Sequence, residues 1–226
     1  MLRWFRDNTT VGALATDNLI SRATGYRYID EGIAVLAAQV PDLHEVLEQA
    51  RHTPDGFLVL DGKLFPSDRC AEPGPTGRSD LWCNGHKRHH GGTVQFLADA
   101  IGEPLWVSDV EPGSTSDITA ARIHVLPLLH KVTAEGLVVL ADLGYDGAGV
   151  GARSPIKHPP EVDEYRWDAD NRSHNLLLRS LRCVGERAMT VFTGRWRVLH
   201  HTAMSPSKIG VIVQEVLTLT VTDKNR

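Results

Sequence analysis

The chain has 226 residues, of which 42% are hydrophobic and 23% are charged, and this composition is typical of a globular protein with one substantial core. It excludes a disordered tail and a fibrous repeat. Lysine and arginine number 24 against 28 aspartate and glutamate, giving a net charge of −4. This balance excludes a protein that coats nucleic acid through its overall charge, so any such affinity must come from local clusters of basic residues.

The cysteines and the N-terminus indicate where the protein works. Three cysteines at unrelated spacings, Cys70, Cys83 and Cys183, favour reduced thiols over a disulfide framework, and we expect a cytoplasmic protein. The first residues lack the apolar segment of a signal peptide, and no stretch approaches the roughly 18 apolar residues of a membrane helix. We therefore expect no membrane partner.

The first fifty residues are predicted to be helical, because apolar residues recur at helical spacing through positions 11–15 and 29–40. Ser21 is the expected N-cap of the second of these helices. A short helix, a polar turn and a second helix have the layout of a helix-turn-helix, although a plain helical hairpin fits the same pattern. We assign residues 1–50 to this helical segment.

From Phe57 onward the pattern changes to short apolar runs separated by turn residues, which predicts strands. The predicted strands cover residues 57–60, 93–98, 105–110 and 137–141. Helices are expected through 118–128 and 209–219, and a long amphipathic helix should face the core with Leu177, Leu181, Val184, Ala188 and Val191. This order of elements predicts an α/β fold, a mixed sheet with helices packed on it, over residues 56–221.

Two of the predicted strands end at an acidic residue: one at Asp61 and the other at Asp142. If the strands are neighbours, the two carboxylates converge at the open end of the sheet. Close carboxylates repel unless a divalent cation neutralises both, and oxygen ligands of this kind suit Mg²⁺ or Mn²⁺. Each residue taken alone is more simply explained as an aspartate that forms a turn after a strand.

Glu186 is the third candidate carboxylate. It is the only acid between Arg172 and Lys208, where seven basic residues give a local charge of +6 while the rest of the chain sums to −10. The alternative role for Glu186 is an i,i+4 salt bridge with Arg182. The adjacent Gly185 costs about 1 kcal/mol in a helix interior, which is tolerable where another group approaches the backbone closely.

Six short segments of the chain form an ordered set. They are residues 20–28 (Ile-Ser-Arg-Ala-Thr-Gly-Tyr-Arg-Tyr), 60–63 (Leu-Asp-Gly-Lys), 91–97 (Gly-Gly-Thr-Val-Gln-Phe-Leu), 112–114 (Pro-Gly-Ser) with Asp117, 141–145 (Ala-Asp-Leu-Gly-Tyr) and 185–187 (Gly-Glu-Arg). Each segment is a weak signal by itself, but the ordered set covers nearly the whole chain and resembles the DDE transposases of bacterial insertion sequences, and among them the DDE superfamily endonucleases preceded by a helix-turn-helix.

The resemblance implies a ribonuclease H-like catalytic domain in which Asp61, Asp142 and Glu186 are the first, second and third acids. They would hold Mg²⁺ or Mn²⁺, as two ions, and catalyse phosphodiester hydrolysis and strand transfer at transposon ends. The implied partners are double-stranded DNA, as transposon ends and target, and further copies of the chain assembled on that DNA.

Basic and polar residues in three stretches of the chain, 22–27, 87–88 and 179–197, are expected to contact DNA phosphates. These candidates are Arg22, Thr24, Arg27, Lys87, Arg88, Arg179, Arg182, Arg187, Arg195 and Arg197. Asp117 is a possible accessory acid near the metal ions, or else it caps the following helix together with Ser114.

The sequence departs from the family pattern at two places. A lysine expected two turns after the third acid is replaced by Thr193, so that Arg195 or Arg197 would have to substitute for it. The helix-turn-helix segment is also expected to be truncated. A catalytically inactive or domesticated DNA-binding protein derived from a transposase is therefore the main alternative.

Three weaker patterns suggest other chemistry. Cys83, His86, His89 and His90 resemble a zinc cluster, although their spacing favours a basic hairpin over residues 85–92. The glycines of 144–151 are out of register with a dinucleotide-binding loop. A haloacid-dehalogenase-like phosphohydrolase needs a second aspartate at position 63, which is lysine here.

Overall fold

The computed structural model describes residues 1–54, 56–74, 77, 79–163 and 167–224. It confirms the predicted α/β fold with a mixed sheet. The strands are β1 (Phe57–Pro66), β2 (Cys83–Asn84), β3 (His89–Ala98), β4 (Pro104–Pro112) and β5 (Val138–Leu140). The helices are α1 (Leu2–Asp7), α2 (Val11–Asp17), α3 (Arg22–Ala37), α4 (Leu43–Arg51), α5 (Asp117–His124), α6 (Leu126–Ala134), α7 (Ala169–Arg195) and α8 (Ile209–Lys224).

The sheet is antiparallel on one side and parallel on the other. Strand β3 pairs antiparallel with β1, β2 and β4, whereas β5 pairs parallel with β1 in the register Val59 opposite Leu140. Alternation along the strands separates two cores. Leu97 belongs to one cluster and its neighbour Phe96 to the other, so helices cover both faces of the sheet.

The cluster on one face contains residues of α4, α5 and α6, and the cluster on the other contains residues of α1, α2, α3, α7 and α8. The N-terminal helices thus share a core with the sheet: Phe5 and Ile33 belong to the same buried cluster as Phe96 and Val213. The division at residue 50 stays a prediction. No helix in the described part of the chain is both long and apolar enough to cross a bilayer.

Helix α3 begins where the sequence predicts. Ser21 caps α3, its hydroxyl accepting a hydrogen bond from the Thr24 N–H at 3.0 Å. Asp42 caps α4 through the His44 N–H at 2.8 Å. The predicted single helix through 118–128 is instead two helices, because the chain leaves helical geometry at Val125 before Pro127, which starts α6.

The face that α7 turns to the core differs from the prediction. Leu177, Leu181 and Val191 are 65%, 45% and 64% exposed. The buried positions are Leu178, Gly185, Ala188, Met189 and Phe192. Ala188 is buried as predicted and Val184 is half-buried, whereas the other three predicted positions give way to Leu178, Met189 and Phe192, and Gly185 lies against Val59 of β1.

Candidate active site where strand β5 ends beside β1

Asp61 and Asp142 lie at the same edge of the sheet. Val59 pairs with Leu140 in the parallel ladder, and each acid follows its member of this pair by two residues. Asp142 follows the end of β5 as predicted, but β1 continues to Pro66, so Asp61 lies within its strand and not at its end. The matched parallel register still brings the two carboxylates side by side where β5 stops. The structure therefore brings these two predicted residues together.

Asp61 is a partly buried carboxylate with perturbed chemistry. Burial raises its pKa to about 6, and the negative charges of Asp142 and Asp117 add to that shift. The hydrogen bond from the Gly62 N–H to Oδ1, 2.8 Å long, and the charge of Arg182 act in the opposite direction. The negative charge of these three aspartates thus exceeds the positive charge that Arg182 supplies.

Asp142 begins the loop after β5. Its Oδ1 accepts a hydrogen bond from the Gly144 N–H at 2.7 Å and caps a 3₁₀ turn over Leu143–Tyr145. Its Oδ2 lies 4.0 Å from Nη2 of Arg182, a side chain that is only 12% exposed. Arg182 was predicted to contact DNA; the structure places it against the acids.

Asp117 joins this pair from the first turn of α5. Its pKa is raised by burial and by the charge of Asp142, and lowered by Lys87 of the β2–β3 hairpin. Ser116, rather than Asp117 with Ser114, caps α5: the Ser116 hydroxyl accepts a hydrogen bond from the Thr119 N–H at 3.4 Å. The Asp117 carboxylate is therefore not needed as the cap.

A buried pair of polar side chains lies beneath the acids, and sequence reasoning missed both. The Tyr145 hydroxyl donates a 2.6 Å hydrogen bond to Oε1 of Gln95, and both residues are 0% exposed. Burial and the charges of Asp117, Asp61 and Asp142 raise the pKa of Tyr145 well above its ordinary value. Gln95 is a polar residue inside an apolar strand, and that was the available signal.

Glu186 lies on the same side of the sheet as Asp61. Gly185 packs so closely on β1 that a Cβ there would lie 2.6 Å from a Val59 methyl, and Val59 and Asp61 project from the same face of their strand. Glu186 itself is exposed, and the charges that shift the pKa of Asp61 are those of Asp142, Arg182 and Asp117. Its role as third acid stays a prediction.

The acids have the ligand chemistry for a hard divalent cation, since each offers carboxylate oxygens. The glycines after Asp61 and Asp142 leave space among these groups that a side chain would fill. In the described part of the chain, however, no three His, Cys, Asp or Glu side chains form a ready-made metal-binding group. The donor set fits Mg²⁺ or Mn²⁺, and the structure shows no preformed cage of ligands.

The predicted DNA-contacting residues other than Arg182 are at least partly exposed. Arg22, Arg27, Lys87, Arg88, Arg179, Arg187, Arg195 and Arg197 are exposed, and Thr24 is half-buried. Four of these arginines already have protein partners. Arg22 and Arg27 donate hydrogen bonds to the hydroxyls of Tyr26 and Thr24 in their own helix. Arg187 donates to the Ile101 carbonyl at 3.2 Å, and Arg195 forms an ion pair with Asp223. Thr193, where the family pattern expects lysine, donates its hydroxyl to the Met189 carbonyl.

The weaker patterns have structural settings too. The hairpin predicted over residues 85–92 is present with its paired residues at 83–84 and 89–90: Cys83 pairs with His90, and the Asn84 side chain accepts hydrogen bonds from the N–H groups of His86 and Lys87. All three cysteines are free thiols. The glycine-rich segment after Asp142 forms 3₁₀ turns at Leu143–Tyr145 and Gly149–Gly151.

Comparison with known proteins gives one match. The family model described as DDE superfamily endonuclease matches residues 60–220, which is more than half of the chain. The matched region includes Asp61, Asp117, Asp142 and Glu186. No match was found among curated proteins or among solved structures.

Proposed function

Because the chain belongs to the DDE superfamily endonucleases, whose substrate is DNA, we propose that it is a metal-dependent transposase that cleaves phosphodiester bonds at transposon ends and joins those ends to target DNA. The observation that carries the proposal is the convergence of Asp61 and Asp142, in matched register on two neighbouring parallel strands, at the point where β5 ends. The raised pKa of Asp61 supports a site where carboxylates are held together.

In this proposal Asp61, Asp142 and Glu186 hold two divalent ions, Mg²⁺ or Mn²⁺. When bound, such ions activate a water or a DNA 3′-hydroxyl and stabilise the leaving oxygen of an in-line displacement at phosphorus. The chain's own residues fix the carboxylates: Gly62 and Gly144 donate N–H groups to the two aspartates, and Arg182 offsets part of their charge. Gly185 supports the assignment of Glu186, because it lets α7 approach β1 beside Asp61.

DNA would lie across the surface that carries the exposed arginines. Arg182 of α7 and Lys87 of the hairpin lie close enough to the acids to shift their pKa values, so phosphates can be held by cations next to the carboxylates that hold the metal. Arg22 and Arg27 at the start of α3 would extend the contact to the predicted helix-turn-helix. Self-association on paired DNA ends is part of the same proposal.

The test is nicking of supercoiled DNA by the full chain with Mg²⁺ or Mn²⁺. Loss of a metal ligand removes several kcal/mol of transition-state stabilisation, so Asp61→Asn should lower the nicking rate by about a hundredfold or more. Asp170→Asn, which changes an exposed acid in the first turn of α7, is the matched control. Equal nicking by the folded Asp61→Asn variant and the unsubstituted protein would refute the catalytic assignment.

The second candidate is a catalytically inactive DNA-binding protein that keeps this fold. It is favoured by the exposure of Glu186 and by the lack, among described residues, of a ready-made group of metal ligands. DNA binding without metal-dependent cleavage by the unsubstituted chain would identify this second function.

A further inference from the structure

The Asp117 carboxylate occupies space that two glycines leave open. A Cβ on Gly62 would collide with Asp117 Oδ1, and a Cβ on Gly144 would lie 3.4 Å from Asp117 Oδ2 and 2.9 Å from Asp142 Oδ1. These glycines follow Asp61 by one residue and Asp142 by two. The Asp117 carboxylate therefore lies against the backbone of Gly62, the residue after Asp61, and beside the Asp142 carboxylate.

A fully buried donor is directed at the same place. The Cβ position of Gly62 that meets Asp117 Oδ1 is also 3.0 Å from Nε2 of Gln95. Gln95 Oε1 is held by the Tyr145 hydroxyl, which fixes the amide, while Nε2 has no hydrogen-bond partner among the described residues. A buried unsatisfied donor costs about 1–3 kcal/mol, and this one lies beside the same backbone position of Gly62 as the Asp117 carboxylate.

We infer that Asp117 is a further carboxylate ligand of the divalent-cation site formed with Asp61 and Asp142, and that Gln95 is a positioning residue whose Nε2 donates to oxygen atoms held there. The inference rests on the proposed metal-dependent function and adds a ligand to it. The capping of α5 by Ser116 leaves the Asp117 carboxylate free for this role. Arg182 and Lys87 offset part of the negative charge of Asp61 and Asp117. A bound cation would supply the remaining positive charge.

The experiment measures Mn²⁺ binding to the full chain without DNA, by electron paramagnetic resonance of free Mn²⁺. Asp117→Asn should raise the Kd at least about tenfold, whereas Asp170→Asn should leave it within about twofold. Asp61→Asn is measured in parallel. If Asp61→Asn abolishes binding and Asp117→Asn leaves it unchanged, Asp117 is not a ligand and the proposed function stands; if Asp61→Asn leaves binding unchanged, the proposed metal site itself fails.

A second measurement needs no substitution and so does not depend on a variant folding. In the unsubstituted protein, titration with Mg²⁺ should shift the carboxyl ¹³C resonances of Asp117 and Asp61 with one common Kd. A shift of Asp61 alone would overturn the inference. Gln95→Leu, which removes the Nε2 donor, should weaken Mn²⁺ binding. Equal Mn²⁺ affinities of Gln95→Leu and the unsubstituted protein would contradict the positioning role.

Discussion

Glu215 allows a quantitative prediction about stability. It lies in α8 with 0% of its surface exposed, and neither carboxyl oxygen has a hydrogen-bond partner among the described residues. Burial raises its pKa to about 8. Glu215 is therefore protonated at neutral pH in the folded chain and ionised in the unfolded chain.

The sign and size of the effect follow from linkage. Below pH 4.5, the ordinary pKa of a glutamate, Glu215 is protonated in both the folded and the unfolded chain, so its ionisation does not change the free energy of unfolding. As pH rises from there to about 8, the free energy of unfolding should fall by about 1.4 kcal/mol per pH unit. The loss is about 3 kcal/mol at pH 7 and levels off at about 5 kcal/mol above pH 8.

Glu215→Gln removes the ionisation while keeping the shape of the side chain. Urea denaturation at pH 5, 6, 7 and 8 should show the variant gaining stability over the unsubstituted chain as pH rises, by about 3 kcal/mol at pH 7. Glu31→Gln, on the exposed surface of α3, is the control and should show no such trend. A difference between Glu215→Gln and the unsubstituted chain that stays constant from pH 5 to 8 would refute the reasoning.

Two further predictions concern α7. Gly185→Ala should lower the free energy of unfolding by about 1–3 kcal/mol, because the new Cβ would lie 2.6 Å from a Val59 methyl. Gly194→Ala, whose Cβ would have no atom within 4 Å, should raise the free energy of unfolding by up to about 1 kcal/mol. Urea denaturation compares the two variants, and equal effects would contradict the close packing at Gly185. Arg182→Gln should raise the pKa of Asp61 further, since Arg182 lowers it now; a ¹³C-detected titration that shows an unchanged pKa would remove Arg182 from the site.

Local patterns predicted part of the backbone of the site. The apolar run that stops at Asp142 marks the end of β5, whereas β1 continues past Asp61 to Pro66, so only one of the two predicted strand ends is right. A hairpin is present near the predicted residues 85–92, with its strands paired at 83–84 and 89–90. Such features depend on a few neighbouring residues, which is why the sequence indicates them.

Features that depend on packing between distant segments were not predictable. The orientation of α7 is set by Gly185 against Val59, a contact between helix and strand that residue hydrophobicity alone does not indicate, so Leu177 and Leu181 were wrongly placed in the core. The Gln95 to Tyr145 hydrogen bond joins residues fifty positions apart. The same holds for Arg182, whose charge suggested a surface role.

The N-terminal helices are fastened to the body of the protein rather than carried on a linker. Helix α3 packs along α8, and Lys208 Nζ is 2.7 Å from Asp30 Oδ1. If α3 binds DNA as proposed, its distance from Asp61 and Asp142 is fixed by this packing. The position of the cut relative to the bound sequence is then a property of the folded body, and lengthening the chain between residues 51 and 57 would not move it.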